Sequence, residues 1–291
     1  MQGLSSFLDE ALSQILEQAV IKQVHMQGGG DINAAAVLNT TEGNFFIKWN
    51  KAELADMFEQ EAKGLVLLHN TGVIQAPTVC GSGIVEDKSF LILEYLQRGR
   101  ASEEYWTDLG ENLAKMHLIK AERFGLDHDN YIGRLTQSNA MCKDWVAFYR
   151  EERLMPQLKL AQANNYVSEQ FGERFEGLLE KLPDLMPTAE PALLHGDLWN
   201  GNVMPGMEGK AYFFDPAVYY GAREMDLAMT RLFGGFEKRF YDAYQAVYPL
   251  PYHFEELVDL YNLYSLMVHV NLMGAHAGYV GSVERIINRY R

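Results

Sequence analysis

This sequence predicts an α+β chain in two parts, on three observations. Apolar residues alternate or run in short blocks through the first ~95 residues, and over most of the rest they recur at helical spacing. A break at Leu96–Gly99 separates the two regimes. The expected architecture is a small antiparallel sheet with one main helix over residues 1–96, then a larger, mostly helical part over 97–291. With 291 residues the chain can bury a substantial core.

The elements follow from spacing. Residues 5–18 place Phe7, Leu8, Leu12, Ile15 and Leu16 on one side of an opening helix, with Ser5 or Ser6 as its cap. Three short β runs follow at 20–26, 34–38 and 45–49, joined by Gly28-Gly29-Gly30 and a Thr40–Gly43 turn. Residues 52–70 form a strongly amphipathic helix that Gly72 ends, with Leu54, Met57, Phe58, Leu65 and Leu68 as its stripe. Strands are expected at 77–84 and 89–95. Helices are expected at 103–118, 139–164, 167–182, 224–246 and 254–274, with short apolar segments near 192–194 and 211–214. Internal repeats and low-complexity tracts are absent from the sequence.

Bulk properties exclude several classes. The net charge of −14 disfavours nucleic acid and anionic membranes as partners and suits a substrate that carries an amine. Cys80 and Cys142 stand apart with no CxxC pair, which argues against a zinc knuckle or redox dithiol and for a reducing compartment. Asp9, Glu10 and Glu17 are unlike a signal peptide, and no apolar run approaches the ~18 residues of a membrane span. A cytoplasmic protein is expected.

The most informative stretch is HGDLWNGN at 195–202, an apolar strand running into a loop with one acid and two amides. A second acid, Asp215, follows in Phe213-Phe214-Asp215-Pro216. Asp197 and Asn202 have the D-x-x-x-x-N spacing of a kinase catalytic loop. The residue types suit phosphoryl transfer. Asp197 can accept a hydroxyl proton, and Asn202 and Asp215 offer the hard oxygens that Mg²⁺ prefers. Turns are rich in Asn, Gly and Asp for purely structural reasons, but the whole pattern in this order is not explained that way.

The first part supplies an independent check. Lys48 lies on the third β run, where a kinase needs a phosphate-holding lysine. Glu61 lies on the apolar stripe of the following helix, where a carboxylate is costly without a partner, and Lys48 is the expected one. Gly28, Gly29 and Gly30 can bring backbone N–H groups to phosphates, although they do not form G-x-G-x-x-G. Glu94, Tyr95 and Leu96 stand where a hinge would read adenine through its backbone. Asp226 is either a first-turn acid favoured by the helix dipole or a brace for the catalytic loop. His195 is expected to be packed and structural. Together these point to a protein-kinase-like two-lobed fold, a β-sheet lobe binding nucleotide and a helical lobe carrying catalysis.

HGDLWNGN, FFDPAVYYGAREMDLAM, Asp129-Asn130-Tyr131-Ile132-Gly133, and the DWxxFYxxxRLxPQ string from Asp144 to Gln157 resemble the fructosamine kinase (ketosamine 3-kinase) family over nearly the whole chain. The resemblance implies ATP- and Mg²⁺-dependent phosphorylation of the 3-hydroxyl of ketosamines, including fructosamines or ribulosamines on lysine. The product is unstable and loses phosphate, so the amine is deglycated. It implies Asp197 as base, Asn202 and Asp215 as metal ligands, and Lys48 with Glu61 as the phosphate-holding pair. Trp199, beside the base, is placed to lie against the sugar. Some relatives carry a cysteine in the glycine-rich turn that permits a redox-linked dimer; here the turn reads GGGDIN, and no such switch is expected. The open alternatives are another small-molecule kinase of this fold, acting on an aminoglycoside, choline or a sugar, and a nucleotide-binding pseudokinase. Against the second, Lys48, Glu61, Asp197, Asn202 and Asp215 are all filled. Oligomeric state is not legible in the sequence.

Overall fold

The structure is a computed structural model and describes residues 2–28 and 33–290. Gly29 and Gly30 of the glycine turn lie outside the described residues, whereas Gly28 is described and exposed. Contacts divide the chain into two compact units, one of Met1–Tyr105 with Val203–Pro216 and one of Trp106–Asn202 with Ala217–Arg291.

The first unit opens with helix α1 (Gln2–Ile15), then strands β1 (Ile21–Gln27), β2 (Ala34–Thr40) and β3 (Gly43–Lys51). A 3₁₀ turn at Ala52–Leu54 leads into α2 (Ala55–Asn70), followed by β4 (Val79–Val85) and β5 (Lys88–Glu94). The strands form one antiparallel sheet in the order β1-β2-β3-β5-β4. Helix α1 begins earlier than its serines suggested. Leu4 joins Phe7, Leu8 and Leu12 on the sheet, so Ser5 and Ser6 fall inside the helix rather than at its cap. Strand alternation then decides where Lys48 goes. Ile47 and Trp49 pack with α1 on one face, together with Ala36, Leu38, Phe90 and Ile92. Lys48, paired with Leu91, therefore points to the opposite face. Helix α2, which packs on β4 and β5, brings Glu61 to it.

The chain continues through α3 (Tyr105–His117), the hairpin β6 (Asn130–Ile132) and β7 (Leu135–Gln137), α4 (Trp145–Phe148), a π-helical turn (Tyr149–Leu154) and α5 (Met155–Ala163). The helix expected from residue 139 starts only at Trp145. Asp144 caps it by accepting from the Ala147 N–H at 2.7 Å, and Cys142 is bridged to Phe124 in extended form. Next come α6 (Glu169–Leu179), capped by Ser168, then α7 (Leu182–Leu185) and β8 (Ala192–Leu194).

Strands β9 (Val203–Pro205) and β10 (Ala211–Phe213) form a hairpin that belongs to the first unit. The Phe213 N–H donates to the Gln75 carbonyl and the Gly99 N–H to the Pro205 carbonyl, each at 2.8 Å. A Cβ on Gly99 would lie 2.0 Å from the Gly206 oxygen, so only glycine permits this approach.

The second unit resumes with β11 (Tyr219–Gly221), paired to β8, then α8 (Glu224–Leu232), α9 (Lys238–Val247), α10 (Phe254–Met273) and α11 (Tyr279–Arg289). The continuous helix expected over 224–246 is two helices. Gly234 and Gly235 have φ of 71° and 93°, a left-handed conformation that stops α8. Helix α11 was not expected. It seats Val283, Ile286 and Ile287 against the rest of the unit, where α10 is its main neighbour. No helix among the described residues is long and apolar enough to cross a membrane.

Candidate active site

In the first unit the functional side chains centre on Lys48. Its ammonium lies 2.5 Å from Glu61 Oε1 and 2.5 Å from Asp215 Oδ1. Burial works against the Lys48 charge, but Asp215 and then Glu61 outweigh it and hold the ammonium above its usual pKa. Burial pushes Glu61 the other way, up to about 7, against the opposing pull of Lys48 and with a further push from Asp215. Asp215 follows β10 with a φ of 52°, an uncommon conformation for a non-glycine residue and one that functional sites often hold. Its side chain is half exposed, whereas Lys48 is buried. Glu94 closes β5, and its carboxylate accepts from the Thr78 N–H and hydroxyl at 3.1 and 2.8 Å. Tyr95 and Leu96 follow, partly buried.

In the second unit, buried β8 delivers the HGD loop. Asp226, at the start of α8, accepts from the His195 N–H at 2.7 Å and the Gly196 N–H at 2.9 Å, so it acts as the brace. Gly196 has a φ of 83°, and a Cβ there would sit 2.0 Å from the Ala217 oxygen; the loop admits no other residue. His195 is fully buried, and its Nδ1 accepts from the Asp197 N–H at 3.3 Å, which suits a structural residue. The Asn202 amide nitrogen donates to the Asp197 carbonyl at 2.9 Å and to its Oδ2 at 3.0 Å. The Asn202 amide thus turns its nitrogen, not its oxygen, toward the Asp197 carboxylate. Trp199 lies across Gly201, where a Cβ would come within 2.1 Å of the indole.

The brace is itself braced. His117, fully buried, donates from Nε2 to Asp226 at 3.2 Å while its Nδ1 accepts from the Tyr244 hydroxyl at 2.9 Å. Burial lowers the His117 pKa, and its bond to Asp226 only partly opposes this. The folded state therefore binds this proton more weakly than the unfolded chain, and stability contributed here is lost as pH falls through about 6.5. Glu61 has the opposite sign, and its contribution is lost as pH rises toward 7. The two contributions oppose each other between pH 8 and 5, so the test is a difference: the urea midpoint of the wild type relative to His117→Gln is expected to fall on acidification, and a difference that stays constant refutes the assignment. Asp226→Ala strips two loop N–H groups and His117 of their acceptor and is expected to cost about 3 kcal/mol of stability, read from denaturant unfolding.

Sequence reasoning missed the network beneath the loop. Asn130 Nδ2 donates to the Val218 carbonyl at 2.7 Å and Gln137 Nε2 to the Ala217 carbonyl at 3.1 Å. Buried Arg153 donates to Asn139 Oδ1 at 2.7 Å and lies 4.0 Å over the Tyr219 ring. The Tyr264 hydroxyl donates to Gln137 Oε1 at 2.8 Å. These contacts explain the DNYIG and RLxPQ strings as the support of the segment that follows Pro216. Polar residues set among apolar ones were the available signal.

The family model of fructosamine kinases matches residues 4–291. This chain belongs to the fructosamine kinase family. A ketoamine kinase candidate of Lactiplantibacillus plantarum is 39% identical over 93% of this chain and 95% of its own. The chloroplastic protein-ribulosamine 3-kinase of Arabidopsis thaliana is 37% identical over 93% of this chain and 83% of its own. Among solved structures, a fructosamine-3-kinase candidate from Haemophilus somnus 129PT superposes with a TM-score of 0.89 at 29% identity, covering 98% of each chain. The choline kinase of Streptococcus pneumoniae superposes with a TM-score of 0.62 at 14% identity, covering 99% of each chain, and shares the fold alone. The fold is thus α+β and protein-kinase-like. As a member of the fructosamine kinase family, the chain is an ATP-dependent phosphotransferase with an alcohol acceptor.

Proposed function

We propose that this fructosamine kinase family member phosphorylates the 3-hydroxyl of ketosamines, the fructosamine or ribulosamine adducts of amines and lysine side chains, and so leads to deglycation. The observation that carries the reading is a likeness that is continuous over residues 4–291, with relatives named for ketosamine substrates. Asp197 accepts the proton of the attacking hydroxyl, and Asn202 orients its carboxylate. Lys48, held by Glu61, neutralises phosphate charge. Asp215 and the Asn202 amide oxygen would hold Mg²⁺, which supplies charge neutralisation on the triphosphate. Among the described residues no three carboxylate, histidine or cysteine side chains form a metal cage. That fits an ion bound mainly through substrate phosphates and water.

Gly28 approaches the phosphates through its backbone, residues 94–96 read adenine, and Trp199 lies against the sugar. Functionally, residues 1–96 form the nucleotide lobe and 97–291 the catalytic and substrate lobe, with the 203–216 hairpin serving the nucleotide side. The reading includes a cytoplasmic location and no nucleic-acid or membrane partner.

A screen of the purified enzyme for ADP release tests this reading. Turnover is expected on ribulose- and fructose-lysine, with phosphate found at C3 of the sugar. High turnover on choline or an aminoglycoside, with none on ketosamines, defeats it.

A further inference from the structure

Four aromatic rings form an unbroken row in the second unit, and three of them have no role in the mechanism above. Trp199 meets Phe233 with centroids 6.0 Å apart at 72°. Phe233 meets His269 at 5.0 Å, and His269 meets Tyr279 at 4.9 Å. They come from the base loop, the end of α8, α10 and the start of α11. The row is built rather than incidental. Gly235 abuts Asn200, where a Cβ would come within 2.7 Å of that side chain, so the break that ends α8 is packed against the base loop and leaves Phe233 beside Trp199. Trp199 and Phe233 are nevertheless 39% and 41% exposed. Two large adjacent apolar side chains left in water beside a catalytic loop forgo burial that the core gives to rings of this size, which is the usual mark of a binding surface.

The row is also uncharged. His269 Nδ1 lies 2.7 Å from the Ser265 carbonyl, an oxygen that can only accept, so the ring proton is on Nδ1. Burial lowers its pKa and keeps the imidazole neutral near pH 7.

The chemistry of a ketosamine says what such a row would take. The reacting hydroxyl at C3 is fixed at Asp197. The amine nitrogen is three bonds from carbon C3, within about 4 Å of that carbon at ordinary bond lengths, and whatever the amine carries must leave the base from there. A secondary ammonium followed by an alkyl stem is matched by a row of neutral rings that is open to solvent at Phe233 and partly buried at His269 and Tyr279, through cation–π attraction for the first and apolar contact for the second. The chain's charge of −14 favours the same cation.

We infer that Phe233, His269 and Tyr279 form a carrier subsite, distinct from the sugar position at Trp199, that binds the amine-bearing side of the ketosamine and favours adducts of lysine-like amines over adducts of short ones. This rests on the ketosamine reading of the preceding subsection.

The test compares KM for two ribulose adducts, that of methylamine and that of Nα-acetyl-lysine amide linked through its side-chain nitrogen. In the wild type the lysine adduct is expected to have the lower KM. The ratio of the lysine-adduct KM to the methylamine-adduct KM is expected to rise about five-fold in Phe233→Ala and in Tyr279→Ala, and to return in Phe233→Tyr. Tyr279→Ala provides the readout should Phe233→Ala fold poorly. An unchanged ratio in both alanine variants, or a wild type that does not distinguish the adducts, overturns the carrier subsite and leaves the ketosamine reading standing. A wild type that turns over neither adduct overturns both.

Discussion

Asp197→Ala is expected to lower kcat by about three to four orders of magnitude, with ATP binding changed only modestly. The carboxylate is positioned from three sides. Its loop N–H groups are fixed by Asp226, its own N–H meets His195, and Asn202 donates to its Oδ2. A group held this firmly serves one geometry, and alanine offers no alternative proton acceptor at that point. Asp197→Asn keeps the shape and removes the basicity, so it is expected to lose activity to a similar degree. Steady-state and single-turnover kinetics on ribulose-lysine measure both. Near wild-type turnover in either variant means that Asp197 is not the base.

The second large effect is at Asp215. Asp215→Asn is expected to shift the Mg²⁺ dependence of nucleotide binding at least about ten-fold toward higher metal concentration, since a neutral amide is a poorer ligand for a hard cation. Calorimetric titration with and without the metal reads this, and an unchanged magnesium titration counts against the role. Stability separates this reading from a structural one. The Asp215 side chain is half exposed, so solvent screens part of its ion pair with Lys48, and Lys48 keeps Glu61 as a partner when Asp215 is neutralised. Glu61 is buried, and losing either partner of the Lys48–Glu61 pair leaves a buried charge, at a cost of about 3 to 5 kcal/mol. Asp215→Asn should therefore lower the midpoint less than Glu61→Ala while failing with magnesium, whereas Glu61→Ala should lower the midpoint strongly.

Much of the site could be read from the chain because its signals are local. Glu61 interrupts an apolar stripe at helical spacing, so the helix alone implied a buried cation, and strand alternation put Lys48 on the face where one was needed. The HGD loop announces itself within eight residues. Two adjacent glycines mark the break of α8 at Gly234-Gly235, but the apolar spacing on either side continues across it and masks the signal. The short strands β6, β7, β9 and β11 leave no signal because three-residue pairings have too little periodicity to detect, whereas Val283, Ile286 and Ile287 at helical spacing do mark α11 in the sequence.

From composition, spacing and residue type alone came the fold class, the phosphoryl-transfer chemistry and the candidate residues for it, since each is encoded over a few neighbouring positions. Folding added the partnerships. Asp215 reaches Lys48 across 167 residues, the 203–216 hairpin belongs to the unit that holds the five-stranded sheet rather than to the one that flanks it in sequence, and Asp226 closes on backbone 30 residues upstream. Four rings from four separate segments line up in a row that starts at Trp199 in the HGD loop. Such meetings depend on where the chain crosses itself. Burial and hydrogen-bond satisfaction over the whole molecule set those crossings, and no local pattern records them.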